Sequence, residues 1–186
     1  MLQDIITVEN IFDDPYKIID LAKNQTFYTK EEHPIDKNID NSWHGLRSLS
    51  LDTIDKNFFI ETVNNIINKS LSKKFHNFSV NYINWDFRAY GYFHLMLDQV
   101  ISGIHVDKNI VYAGVIYLNP NPKKDSGTIF YDKNEKIVKN VNNDFNKLVL
   151  YNSSILHRVA NGFGDNVENG RLTLNLFINS IKFYKD

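Results

Sequence analysis

A chain of 186 residues with 42% hydrophobic and 13% aromatic residues can bury a core as one domain spanning 1–186, which excludes a disordered or fibrous state. Its formal net charge of -1, from 21 basic and 22 acidic residues, supplies no bulk attraction for nucleic acid or an anionic membrane. The absence of cysteine excludes disulfides, thiolate nucleophiles, cysteine-bound zinc and iron–sulfur clusters, so any metal must sit on nitrogen and oxygen.

The first fifteen residues carry Asp4, Glu9, Asp13 and Asp14 and lack the basic start of a leader, and no apolar run is long enough to span a membrane. A cytoplasmic protein without membrane contact is the expectation. Asp13-Asp14-Pro15 predicts a capped helix start, with Tyr16, Ile19 and Ala22 on one side and an end near Asn24. Lys30 to Ser50 is polar and aperiodic and reads as a long loop carrying Trp43-His44-Gly45-Leu46-Arg47. From Asp52 to about Ser70, Phe59, Val63, Ile66 and Ile67 follow helical spacing.

Beyond Lys74 the texture becomes short β-type runs between turns: Ser79–Tyr90, Tyr92–Leu97, Val111–Leu118, Thr128–Tyr131, Lys136–Val141, Lys147–Tyr151, Ile155–Ala160 and Arg171–Ser180. The expected fold is mainly β with helices (α+β). A double-stranded β-helix, or jelly roll, over 76–186 would be packed by a helical first third, 1–75.

In Ile104-His105-Val106-Asp107, residues i and i+2 of an extended segment share a face, so the imidazole and the carboxylate converge. A chance match on a surface turn is the alternative for this pair alone. His157, in a later β-run, adds a second imidazole, and two histidines with one carboxylate form the non-haem iron(II) oxygenase pattern. Arg171 then opens a strand in which Arg171, Thr173 and Asn175 alternate with Leu172, Leu174 and Leu176. With the leucines in the core, a guanidinium on the other face needs an anion such as a carboxylate. A surface arginine on an edge strand is the bland alternative.

His105-Val106-Asp107, Tyr117-Leu118-Asn119, Ser126-Gly127-Thr128-Ile129-Phe130, His157 and Arg171 together resemble the prolyl-hydroxylase-like 2-oxoglutarate oxygenases, in order and in spacing, over Gly91 to Ser180. The resemblance implies iron(II) on His105, Asp107 and His157, dioxygen and 2-oxoglutarate as cosubstrates, and ascorbate as an optional reductant. It places the distal carboxylate of 2-oxoglutarate on Arg171, assisted by Tyr117, with Thr173 beside them. A plain core tyrosine is the alternative for Tyr117. The implied outcome is hydroxylation with release of succinate and carbon dioxide, and the presence of Asp107 disfavours halogenation.

Among the other histidines, His33, His44 and His76 read as solvated or satisfied side chains. His94 shares a strand face with Tyr92 and Met96 on the approach to the metal motif, which makes it a candidate contact of the substrate or the metal shell. The loops Lys30–Ser50 and Asn119–Gly127 are expected to form the mouth, with Trp43 and Arg47 touching the substrate. Lys73-Lys74 and Lys123-Lys124 are too small for a nucleic-acid footprint. The expected activity is hydroxylation of a prolyl or other peptide residue, a free amino acid or a small metabolite, by a monomer or homodimer. The alternatives are a nucleic-acid demethylase of the same chemistry, disfavoured by the charge, and a non-catalytic jelly-roll binding module.

Overall fold

The computed structural model describes residues 5–36, 43–71, 83–98 and 100–185. In chain order these form β1 (Ile5–Val8), α1 (Pro15–Lys23), β2 (Leu46–Ser50), α2 (Leu51–Ile54), α3 (Lys56–Ile66) and a π turn (Ile67–Leu71). There follow β3 (Ile83–Met96), β4 (Tyr112–Tyr117), β5 (Thr128–Tyr131), β6 (Ile137–Val141), β7 (Leu148–Asn152), β8 (Leu156–Val159) and β9 (Arg171–Lys185).

The strands make two antiparallel sheets facing each other as a jelly roll, one ordered β1-β7-β4-β9-β3-β2 and one ordered β6-β5-β8. Every predicted β-run with described residues contains a strand. The two runs expected on either side of Gly91 are a single strand, β3, paired along its length with β9; Gly91 fits there because a side chain would begin 2.8 Å from Asn175 O. Residues 72–82, which include His76 and Lys73-Lys74, lie outside the described residues.

The expected helical first third is not found. Before Leu46 the described residues contain one short helix, α1, while β1 and β2 join the large sheet as its two edges, paired with β7 and β3. Both strands are too short to show a period of their own, and edge backbone groups of the sheet recruit them. The expected long loop Lys30–Ser50 accordingly ends in β2. The single helix expected from Asp52 is divided at Asp55, whose extended backbone interrupts the helix and whose carboxylate accepts from Phe58 N at 3.0 Å to cap α3. Asp14 caps α1 as expected, with Pro15 in its first turn.

The leucine face of β9 lies in the main core, where Leu172, Leu174 and Leu176 pack with Phe59, Val63 and Ile66 of α3. Each such side chain stabilises the fold by about 1.5–3 kcal/mol. This packing sends the alternate residues of β9 toward the space between the sheets. Among the described residues no helix is long and apolar enough to cross a membrane.

Candidate active site

His105 lies outside the regular strands, held by a two-way backbone bridge to β8. His105 N donates to His157 O at 3.0 Å and His157 N donates to His105 O at 2.9 Å. Two residues on, Asp107 N donates to Ser153 O at 3.1 Å, so the segment stays extended and the two side chains converge. His105, Asp107 and His157 offer ligand atoms that all lie within 4.8 Å of one another.

The hydrogen bonds set the tautomers. His105 Nδ1 lies 2.9 Å from Gly103 O and His157 Nδ1 lies 2.9 Å from Ile155 O, so both rings donate through Nδ1–H and turn Nε2 inward. Burial, with His105 second, lowers the His157 pKa to about 3, so this ring is neutral. Its Nε2 lone pair then faces Asp107 Oδ2 at 3.5 Å, and that oxygen is buried without a hydrogen-bond partner. Two acceptors face each other there, an arrangement that a cation between them satisfies. Burial raises the pKa of Asp107 against the pull of His105 and Arg47, as expected of a carboxylate short of positive charge. Two imidazole nitrogens and a carboxylate, with Tyr151 and Phe130 packed against the His157 ring, suit a divalent transition metal.

The three residues open onto a cavity of about 420 Å³, of a size that fits a small ligand. Trp43, Arg47 and His94 line it. The loop 119–127 does not join them; its Lys123, Asp125 and Ser126 line a second cavity with Asp98, Arg158 and Asn161. The turn at Lys124–Ser126 leads through Gly127 into β5 of the smaller sheet, and Thr128 at the start of that strand lines the metal cavity.

Arg171 is 1% exposed. Its Nε donates to Ser126 O at 2.6 Å, its guanidinium lies 5.5 Å from the centre of the Tyr117 ring, and among the described residues no carboxylate pairs with it. Burial lowers its pKa, opposed by Tyr117. The Tyr117 hydroxyl is 2.8 Å from Thr128 Oγ1, and Thr128 lines the cavity. Tyr117 thus stands behind Thr128 of the cavity wall, with Arg171 against its ring.

Thr173 is buried and donates to Asn175 Oδ1 at 2.9 Å; Asn175 Nδ2 donates to His94 Nδ1 at 3.2 Å, and His94 Nε2–H donates to His44 O at 2.6 Å. Both His94 nitrogens are occupied, so this residue positions the 43–45 turn and is not a ligand of the metal. Gly45, at φ +82 with Leu95 O 2.6 Å from where a side chain would begin, is the glycine that lets this turn close onto β3. His33 is buried, with Nδ1 accepting from Asp36 N at 3.0 Å and Nε2 donating to Ser48 O at 3.1 Å, a satisfied histidine as expected. His44 is exposed.

Burial, followed by Arg47, lowers the His94 pKa from 6.5 to about 3. The unfolded chain binds a proton below about pH 6.5 that the native state refuses, so the stability carried by neutral His94 is complete above that pH and is lost toward pH 3. Wild type is expected to lose stability relative to His94→Gln at about 1.4 kcal/mol per pH unit as pH falls. Urea unfolding of the metal-free proteins across this window measures it; parallel pH profiles would show that the native ring takes up the proton.

Sequence reasoning quotes Thr128 only as part of a motif and overlooks Tyr151, Tyr90 and Phe177; all four line the cavity. Tyr90 and Phe177 were open to detection, since each extends a face already singled out: Tyr92-His94-Met96 on β3 and Arg171-Thr173-Asn175 on β9. Tyr151 carries no local signal.

No family model and no curated protein sequence matches the chain. Solved structures do match its fold. A prolyl hydroxylase from Trichoplax adhaerens, in complex with a hypoxia inducible factor peptide fragment, aligns over 94% of this chain and 83% of its own at 12% identity and a TM-score of 0.57. HygX from Streptomyces hygroscopicus, with nickel and 2-oxoglutarate bound, aligns over 94% and 82% at 9% identity and 0.58. A Pseudomonas putida prolyl-4-hydroxylase aligns over 94% and 91% at 12% identity and 0.53. The chain therefore has the double-stranded β-helix fold that these prolyl hydroxylases and HygX share.

Proposed function

We propose that this chain is an iron(II)- and 2-oxoglutarate-dependent oxygenase, one catalytic domain over 1–186, that hydroxylates a small metabolite, an amino acid or a peptide residue. The observation that carries the reading is the pair of facing acceptors, His157 Nε2 and Asp107 Oδ2, beside the inward Nε2 of His105. Nickel and 2-oxoglutarate bound in HygX, a protein of the same fold, support it. His105, Asp107 and His157 hold the metal, and Arg171 holds the distal carboxylate of 2-oxoglutarate with Tyr117 and Thr173 around it.

Bound iron(II) supplies the coupled oxidation in which dioxygen, 2-oxoglutarate and a substrate C–H bond become succinate, carbon dioxide and a C–OH group. The chain's own residues do the rest. Gly103 O and Ile155 O fix the two rings so that no reorientation is needed when the metal enters. Asp107 neutralises part of the cation's charge, and Arg171, already desolvated, meets the cosubstrate anion without further loss of water. Tyr151 and Phe130 shield the His157 side of the centre from water.

Anaerobic titration of the protein with iron(II) and 2-oxoglutarate should produce the visible charge-transfer absorption of a chelated 2-oxo acid, and admission of oxygen should yield succinate. Tight 2-oxoglutarate binding that is indifferent to metal, or none at all, would remove this reading.

A further inference from the structure

Resting on the oxygenase reading, we infer that Arg47 is a specificity-determining residue that pairs with a carboxylate of the primary substrate, so the substrate is a small carboxylic acid with an apolar part. Arg47 lies on β2, where its backbone is bonded to Tyr28 in both directions, Arg47 N to Tyr28 O at 2.9 Å and Tyr28 N to Arg47 O at 2.8 Å, and is in register with His94 of β3. The base of the side chain is therefore rigid. The guanidinium carbon stands 4.6 Å from the ring centre of Trp43, 5.1 Å from Tyr92 and 5.7 Å from Phe177, an aromatic box that fixes its plane.

Inside this box Nε is sealed from solvent without a hydrogen-bond partner, and among the described residues no carboxylate forms an ion pair with Arg47. A guanidinium held flat and half-buried on the wall of the metal cavity, with Asp107 and Asp36 acting on its charge from beyond ion-pair distance, is built for a planar anion. Arg171 is a second such group in a different place: its Nε is taken by Ser126 O and it stands behind Thr128, whereas Arg47 lines the open cavity beside Trp43 and Phe177. Two separate cations call for two anions, one from the cosubstrate and one from the molecule it oxidises. The aromatic walls supplied by Tyr90 and Phe177, whose rings stack at 5.0 Å, then face the apolar part of that acid.

The test uses the fluorescence of Trp43 in a Trp85→Phe background, these being the two tryptophans of the chain. The protein is loaded with manganese(II) and 2-oxoglutarate without oxygen, and titrated with N-acetyl-leucine, N-acetyl-phenylalanine and the two corresponding amides. The acids should bind at least about tenfold more tightly than the amides, the effect of one charge-assisted pair. Arg47→Gln should erase that preference and leave 2-oxoglutarate affinity as it was, while Arg47→Lys should keep a reduced preference. Equal binding of acids and amides, binding of none of the four, or an undiminished preference in Arg47→Gln overturns the inference. So does loss of 2-oxoglutarate binding in Arg47→Gln, which would make Arg47 the cosubstrate anchor. Acid preference in a wild type that fails to bind 2-oxoglutarate would sink the oxygenase reading and leave the carboxylate site standing.

Discussion

Asp107→Asn is expected to lose metal affinity by more than about 100-fold while the metal-free protein becomes more stable. Loss of a group that merely orients a ligand typically costs about 10–100-fold, and Asp107 is proposed as a ligand itself. The gain in the metal-free state comes from the same geometry. In the wild type, Asp107 Oδ2 is buried without a partner opposite a bare imidazole nitrogen. An asparagine amide turned toward His157 Nε2 becomes a donor where an acceptor stood, which stabilises by about 1 kcal/mol. Thermal unfolding with and without manganese(II) checks both halves. Wild type should gain about 3 kcal/mol at a metal concentration 100 times its dissociation constant, and the variant should gain nothing at that concentration. A variant that is destabilised without metal and still stabilised by it would show that Asp107 serves the fold and not the ion.

Arg171→Ala is expected to weaken 2-oxoglutarate binding by about 3–5 kcal/mol, the usual cost of removing one partner of a buried charge pair. Metal affinity should be unchanged, because Arg171 is not among the ligand-bearing residues. The substitution also strips Ser126 O of its donor and leaves a hole under Tyr117, so part of its effect falls on stability. Arg171→Lys separates the two: it keeps a buried cation and loses the fork, and should restore only part of the affinity. Calorimetric titration of 2-oxoglutarate into the manganese(II) protein, alongside urea unfolding of each variant, makes the measurement. Wild-type affinity in Arg171→Ala would move the anchor elsewhere. Arg47 would then be the first candidate, since it lines the metal cavity, whereas Arg158 lines the other one and gives its Nε to Tyr131 Oη at 2.7 Å.

These two experiments bear on residues of different legibility. His105 and Asp107 could be paired from sequence because two-residue convergence is a local property of extended backbone, and it survives although the segment belongs to no regular strand. The polar face of β9 was equally legible, since its leucines leave one orientation that buries them. Arg47 was harder to place. Its segment reads as a loop in sequence, and the pairing of β2 with β3 sets it in the aromatic box.

Two features are already written in the order of the residues: the metal donors, nitrogen and oxygen alone in a chain without cysteine, and the strand periods that put Arg171, Thr173 and Asn175 on one face. Both follow from composition and from the two-residue repeat of β-structure, which need no distant partner. The backbone bonds between His157 and His105, the completion of the sheet by β1 and β2, and the placing of one arginine behind the cavity wall and another on it arise in the folded chain. Those facts depend on edge pairing and burial between segments far apart in the chain, and no local pattern encodes them.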